Sequence, residues 1–346
     1  MKKTLLALGA TLVLGLAACD PDDSKTAAPG GGASSGEYTP TVKIASISDD
    51  DDIDRWNWAS DKVTSIDHYD GATLRNTTTF TYDGNQLTKI DLPGSESIEF
   101  TYSGGKISHV TMAHHDLPMP ISMAVSYNGD AMSGLSMPIS EAMVQQLIAE
   151  MLGDMMNGGG MDFKGGKATG GSMQVDLTWN GSNVSRMVNT MSLTYDLPVE
   201  QLLNLASAMM GSEIAQYADL IRNGLAMMGM TAVPLNLTIA DTTDFTHDQN
   251  NNPMHGFLGG FEDPESLPGL LSRNNIVSTH QYGSTSYRLE LGALASMLPE
   301  QYAQMVANTM PHESDRENYT YQYNAKGYPT SVTSSYGDVK QFTYIE

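Results

Sequence analysis

At 346 residues with a formal net charge of −22, the chain is long enough for one large core or two smaller ones and is repelled by polyanions. Nucleic acid and anionic lipid head groups are therefore excluded as natural partners. The single cysteine, Cys19, excludes an internal disulfide, and no thiolate remains for a nucleophile or metal centre in the folded part.

The N-terminus reads as an address. Lys2 and Lys3 precede an uncharged apolar run from Leu5 to Ala18, the pattern of a secretory signal peptide and too short to cross a bilayer. The run ends in Leu16-Ala17-Ala18-Cys19, which resembles a lipobox and makes Cys19 the expected site of lipidation. Three acyl tails, at ~0.8 kcal/mol per buried methylene, make such an anchor effectively permanent. Residues 19–40, rich in Asp, Pro, Gly and Ser, read as a flexible tether between the leader (1–18) and a folded domain spanning 41–346. Asp20, Asp22 and Asp23 resemble the acidic export signal of surface lipoproteins in Bacteroides-type bacteria. That likeness implies an outer-membrane lipoprotein, periplasmic or surface-exposed. The cluster Asp49 to Asp52 with Asp54 offers carboxylates for calcium. It lacks the glycine and distal glutamate of known loops, and reads as a solvated acidic run.

From residue 56 the chain repeats itself. Trp58, Tyr82, Tyr102, Tyr127 and Trp179 are each followed by an apolar residue five positions later (Val63, Leu87, Ile107, Met132, Val184) and another after eight (Ile66, Ile90, Val110, Leu135, Met187). In four of the five copies Asp, Ser or Asn and then Gly follow the aromatic directly, the strongest short signal for a hairpin. Before each aromatic the residues alternate, as in Thr78, Phe80 and Tyr82 against Thr77, Thr79 and Thr81, predicting half-buried strands. The expected fold is mainly β, an antiparallel meander of hairpins forming a curled sheet or a barrel, with α-helical insertions. Register stays open: an even loop puts Leu87 on the face of Phe80 and Tyr82 with Ile90 opposite, and an odd loop reverses this.

These aromatic-Asx-Gly hairpins resemble the tyrosine–aspartate repeats of Rhs-type proteins. Together with the lipobox they look like a family of Bacteroides-type lipoproteins of unknown function with a porin-like β-barrel. The resemblance implies an architecture and no catalytic residues. The strands read as five to seven residues and the face opposite the aromatics is threonine, so a membrane-spanning barrel, needing ~9–11 residues and an apolar outer band, is not expected.

Helical insertions are predicted near 139–157, 197–229 and 293–310, each opening with a proline followed by an acid. Eighteen of the 23 methionines fall between Met112 and Met230. Methionine adapts to varied apolar partners. A hydrophobic ligand would therefore be bound by Met143, Leu147, Met151, Met155, Leu203, Met209, Met210, Met227 and Met228; the plainer reading is that these stripes are core. Met112, His114, His115, Asp116, Met119 and Met123 hold donors for copper or zinc, but adjacent histidines on one strand point apart, so no metal centre is expected. Other histidines (His68, His109, His247, His255, His280, His312) read as exposed or turn residues. No nucleophile elbow, phosphate loop, zinc-protease helix or dinucleotide fingerprint is present in the sequence, so neither enzymatic activity nor a cofactor is expected. The sequence predicts a lipid-anchored envelope protein that binds a hydrophobic molecule or, alternatively, assembles with other envelope proteins.

Overall fold

The computed structural model describes residues 35–94, 96–115, 120–155, 166–210, 215–292, 295 and 306–345, with side chains of 149–155, 205–210 and 215–216 left aside. Cys19 and most of the tether lie outside them, as do Asp116 and Met119.

One antiparallel sheet closes on itself. The first half is built of short strands: β1 (Lys43–Asp49), β2 (Asp52–Ala59), β3 (Lys62–Asp70), β4 (Thr73–Asp83), β5 (Gln86–Leu92), β6 (Glu96–Ser103), β7 (Lys106–Ala113), β8 (Ile121–Asn128) and β9 (Ala131–Pro138). Four long strands follow, β10 (Lys167–Asn180), β11 (Asn183–Pro198), β12 (Ala232–His247) and β13 (Ile276–Leu289). Then come β14 (Ala307–Pro311), β15 (Asp315–Tyr323), β16 (Pro329–Ser334) and β17 (Val339–Ile345). Each strand pairs with its successor except β14, and β17 returns to pair with β1 from Lys43↔Ile345 to Asp49↔Lys340. β14 and β15 lie end to end along β13, opposite Ser284–Arg288 and Ser278–Gln281, so 17 strands make a 16-stranded barrel.

The repeat explains the wall, and the register question has an answer that neither loop parity supplies. Tyr82 faces Leu87 and Thr81 faces Lys89, so Thr88 is an extra residue in β5. This bulge turns the strand over between the fifth and eighth positions and puts both apolar residues inside. Leu87 is 3% exposed and Ile90 0%. The same shift occurs before Trp58, Tyr102, Tyr127 and Trp179. In four copies the hydroxyl at the sixth position closes the bulge onto the carbonyl before the aromatic, as Thr88 does to Thr81 at 3.1 Å. The aromatic then reaches back one hairpin. Tyr82 donates to Val63 O at 2.9 Å, Tyr102 to Leu87 O at 2.5 Å, Tyr127 to Ile107 O at 2.8 Å and Trp179 Nε1 to Met132 O at 2.7 Å. Every one of these acceptors is the fifth-position residue of the preceding copy. The reversals take positive φ two residues after the aromatic, at Gly84 (55°), and Ser60 (54°) bears it in the copy without glycine.

Burial pushes the Tyr127 hydroxyl up to about 12, so it remains a donor at every physiological pH. Tyr127→Phe should cost roughly 0.5–1.5 kcal/mol, the net worth of one hydrogen bond, measured as a lowered urea midpoint. An unchanged midpoint would show that the clasp between hairpins contributes nothing.

Helices cap one end of the barrel, above the long strands: α1 (Glu141–Met155) joins β9 to β10, and α2 (Val199–Met210) with α3 (Ala215–Met227) joins β11 to β12. Val144, Ile148, Leu202, Leu203, Ile221 and Leu225 bury against Leu193, Tyr195, Leu197, Val233 and Leu289 of the strands. The third predicted helix needs correcting at its end, because Ala307–Pro311 is strand β14, drawn into the ladder by Ser284–Arg288. At the other end, residues 248–275 between β12 and β13 fill the barrel as a plug. Two 3₁₀ turns, Leu258–Gly260 and Pro264–Ser266, and a short helix α4 (Leu267–Leu271) carry Phe257, Leu258, Phe261, Leu267, Leu270 and Leu271 into the ring of inward side chains. Asn252, 5% exposed, ties the plug together: its Nδ2 donates to Gly269 O (2.5 Å) and Ser272 O (3.0 Å), and its Oδ1 accepts from Met254 N (2.9 Å).

Candidate functional site

A polar layer lies between the two apolar clusters on part of the inner face, while on β9 and β10 the clusters meet at Met137 and at Met173 beside Val175. Along β12 the inward residues run Leu237, Ile239, Asp241, Thr243 and Phe245, the first in the capped cluster and the last in the plugged one. On the short strands the same layer is Asp54 beyond Trp56 and His68 beyond Ile66. The plug delivers Glu262, Asp263 and Glu265 to it from below. Asn189 of β11 donates to Glu265 Oε1 at 3.3 Å.

Two histidines, read from sequence as exposed or turn residues, each join an acid to a threonine here. His68 places Nδ1 2.7 Å from Asp54 and Nε2 2.9 Å from Thr78 Oγ1. His312 places Nδ1 2.7 Å from Asp241 and Nε2 2.8 Å from Thr285 Oγ1. Gly283 makes the second approach possible, since a Cβ there would lie 2.1 Å from Asp241 Oδ1 and 3.0 Å from His312 Nδ1. The order of groups is that of a hydroxyl–imidazole–carboxylate relay. Thr78, however, is only 5% exposed, which keeps its hydroxyl from a substrate and leaves it to tie β3 to β4. The hydrogen bond to Asp54 holds the His68 imidazole above its ordinary range, so it carries charge more readily than a free histidine.

The acids of the plug shift upward. Glu265 is pushed up to about 7 by burial and by the charges of Asp263 and Asp241. Burial also raises Asp263, against the backbone amides of Glu265 and Ser266 that donate to it at 2.7 and 3.0 Å. Such acids take up cations or protons rather than anions. Alternation gave one usable signal for this layer: His68 sits two residues beyond an inward repeat position and so shares its face.

The residues predicted to hold a hydrophobic ligand do not converge. Met143 and Leu147 are half-buried against the capped cluster and Leu203 is buried in it, whereas Met227 is 90% and Met228 43% exposed. Met151, Met155, Met209 and Met210 lie on α1 and α2, their side chains outside those described. Met123, 4% exposed, belongs to the barrel core and offers no sulfur to a surface metal.

The outer wall is hydroxyl-rich and charged. Thr77, Thr79 and Thr81 line β4, Lys89 pairs with Asp91 at 2.6 Å, and Arg186 pairs with Asp244 at 2.6 Å. The strands themselves are longer than the sequence suggested, 14–16 residues in β10–β13, because flanking Gly and Ser residues such as Gly170, Gly171 and Ser172 extend the ladder. Among the described residues no helix is long and apolar enough to cross a membrane.

The chain is similar to a porin-like protein from Bacteroides vulgatus, with a TM-score of 0.33 and 8% identity over 88% of this chain and 99% of that one. No family model and no curated protein matches the sequence.

Proposed function

We propose that this is a lipid-tethered barrel of the cell envelope, held by an acylated Cys19 at the outer membrane and immersed in water, and that it binds a partner rather than conducting solutes or catalysing a reaction. The observation that carries this reading is the pairing of a polar outer wall with a filled interior. A lysine or arginine facing lipid at the bilayer midplane costs roughly 2–4 kcal/mol, and this wall presents Lys89 and Arg186 together with their acids. Inside, Phe257 and Phe261 of the plug occupy the lumen between the strands. The lipobox and the Rhs-like hairpins point to the same class of Bacteroides-type lipoprotein.

Of the two kinds of partner, another envelope protein is favoured over a carried apolar molecule. Met143, Leu147 and Leu203 are engaged in packing, and Leu220, Met227 and Met228 expose an apolar edge of the cap. Native mass spectrometry of the purified protein separates the two, since a carrier would retain an apolar molecule.

The placement is tested by exchanging residues 1–19 for a cleavable secretory signal. The exchanged chain is expected in the soluble periplasmic fraction, and the parent in membranes with a mass increment of an acylated cysteine. An exchanged chain that stays in carbonate-washed membranes would overturn immersion in water.

A further inference from the structure

We propose that Glu96, His114 and His115 bind a divalent transition-metal ion of borderline softness, zinc, copper(II) or nickel, at the rim of the barrel. This is independent of the lipid anchor and of the partner on the cap. The sequence argument against a centre here was that neighbouring histidines on a strand diverge. That argument lapses, because β7 ends at Ala113 and both histidines lie beyond it in the connection to β8. Freed from the pleat, the two imidazoles stack at 4.5 Å with 23° between their planes and turn toward one acceptor. Glu96, the first residue of β6, brings its Oε1 to 3.1 Å from His114 Nε2 and 2.5 Å from His115 Nδ1. One ligand atom from each residue lies within 4.8 Å of the other two.

Metal bonds of about 2.0–2.2 Å in a tetrahedron set neighbouring donors ~3.3–3.5 Å apart, so these groups need small torsional adjustments to admit an ion. Two imidazole nitrogens and one carboxylate oxygen suit zinc, copper(II) or nickel and leave a fourth position for water. The side chains are accessible in graded fashion, 20% for Glu96, 34% for His114 and 60% for His115, so an ion enters from solvent without unfolding the rim. The negative charge of the chain concentrates cations around it. A loaded site would tie the β7–β8 connection to the start of β6.

Titration calorimetry of ZnCl₂, CuCl₂ and NiCl₂ into the untagged full chain in detergent tests this, beside Glu96→Gln and a His114→Gln/His115→Gln double variant. The parent is expected to bind one equivalent of at least one metal. Glu96→Gln should weaken that affinity at least tenfold, and the double variant should abolish it. Cobalt(II) should give visible absorption in the parent alone. Metal-free melting is compared first; if the double variant fails to fold, Glu96→Gln decides. No binding of any of the three metals, or equal binding by parent and variants, overturns the site.

Discussion

Replacing Phe257 by alanine is expected to destabilise the barrel by about 3–5 kcal/mol, the range for truncating a fully buried aromatic. The ring is 1% exposed and meets Trp56 at 4.6 Å, Tyr38 at 5.0 Å and Phe80 at 5.5 Å between ring centres. Those partners belong to the first strands and the N-terminal segment, whereas Phe257 arrives from a segment 177 to 219 residues later. The ring thus joins parts of the wall that hydrogen bonds link only around the circumference. Gly259 sits against it so closely that a Cβ there would lie 2.4 Å from the Phe257 ring, which leaves little room for the plug to collapse into the void. Urea unfolding of Phe257→Ala beside Met227→Ala measures the effect. Met227 is 90% exposed and its truncation should stay within about ±0.5 kcal/mol. A loss below 1 kcal/mol for Phe257→Ala would mean that the plug is not part of the cooperative core.

The wall was legible in the sequence because its determinants are local. Aromatic, glycine and the two apolar positions lie within nine residues of each other, and all ten apolar positions of the five copies are buried. What hid the register was the bulge, whose marker is modest: a Thr or Ser at the sixth position that spends its hydroxyl on a carbonyl of the partner strand. Closure was not legible, since pairing β1 with β17 joins the two ends of the chain and no local pattern encodes it. The plug was missed for a different reason. Phe257 and Phe261, and Leu267, Leu270 and Leu271, stand at three- and four-residue spacing, but over single turns too short to register as an amphipathic helix, so only their density within a long connection between strands was available as a signal. The polar layer failed at the same level, because Asp241 and His312 or Glu262 and Asp54 are brought together by the third dimension alone.

That layer should make stability depend on pH in a way that one substitution reverses. Glu265 ordinarily loses its proton near 4.5 and in the folded barrel near 7. Between those values the folded state holds more protons than the unfolded one, so this group lowers stability as pH rises and imposes its full penalty above 7. A shift of that size converts at 1.36 kcal/mol per pH unit. Glu265 is only partly buried, and screening by water reduces the penalty to about 1–2 kcal/mol. His247 acts in the opposite sense. Burial depresses it from 6.5 to about 4, so its contribution is present above 6.5 and is lost as pH falls through that window. The two slopes oppose each other between 4.5 and 6.5, and the parent should show a shallow profile there. Glu265→Gln retains an acceptor for Asn189 and removes the charge. It should raise stability by about 1–2 kcal/mol at pH 8, have no effect at pH 4, and make the profile between pH 4.5 and 6.5 climb more steeply than the parent's, because the slope of His247 is no longer opposed by Glu265. Thermal melts at four pH values read this out. Equal melting of parent and variant at pH 8 would show that Glu265 ionises freely and that the inner layer is open to bulk water.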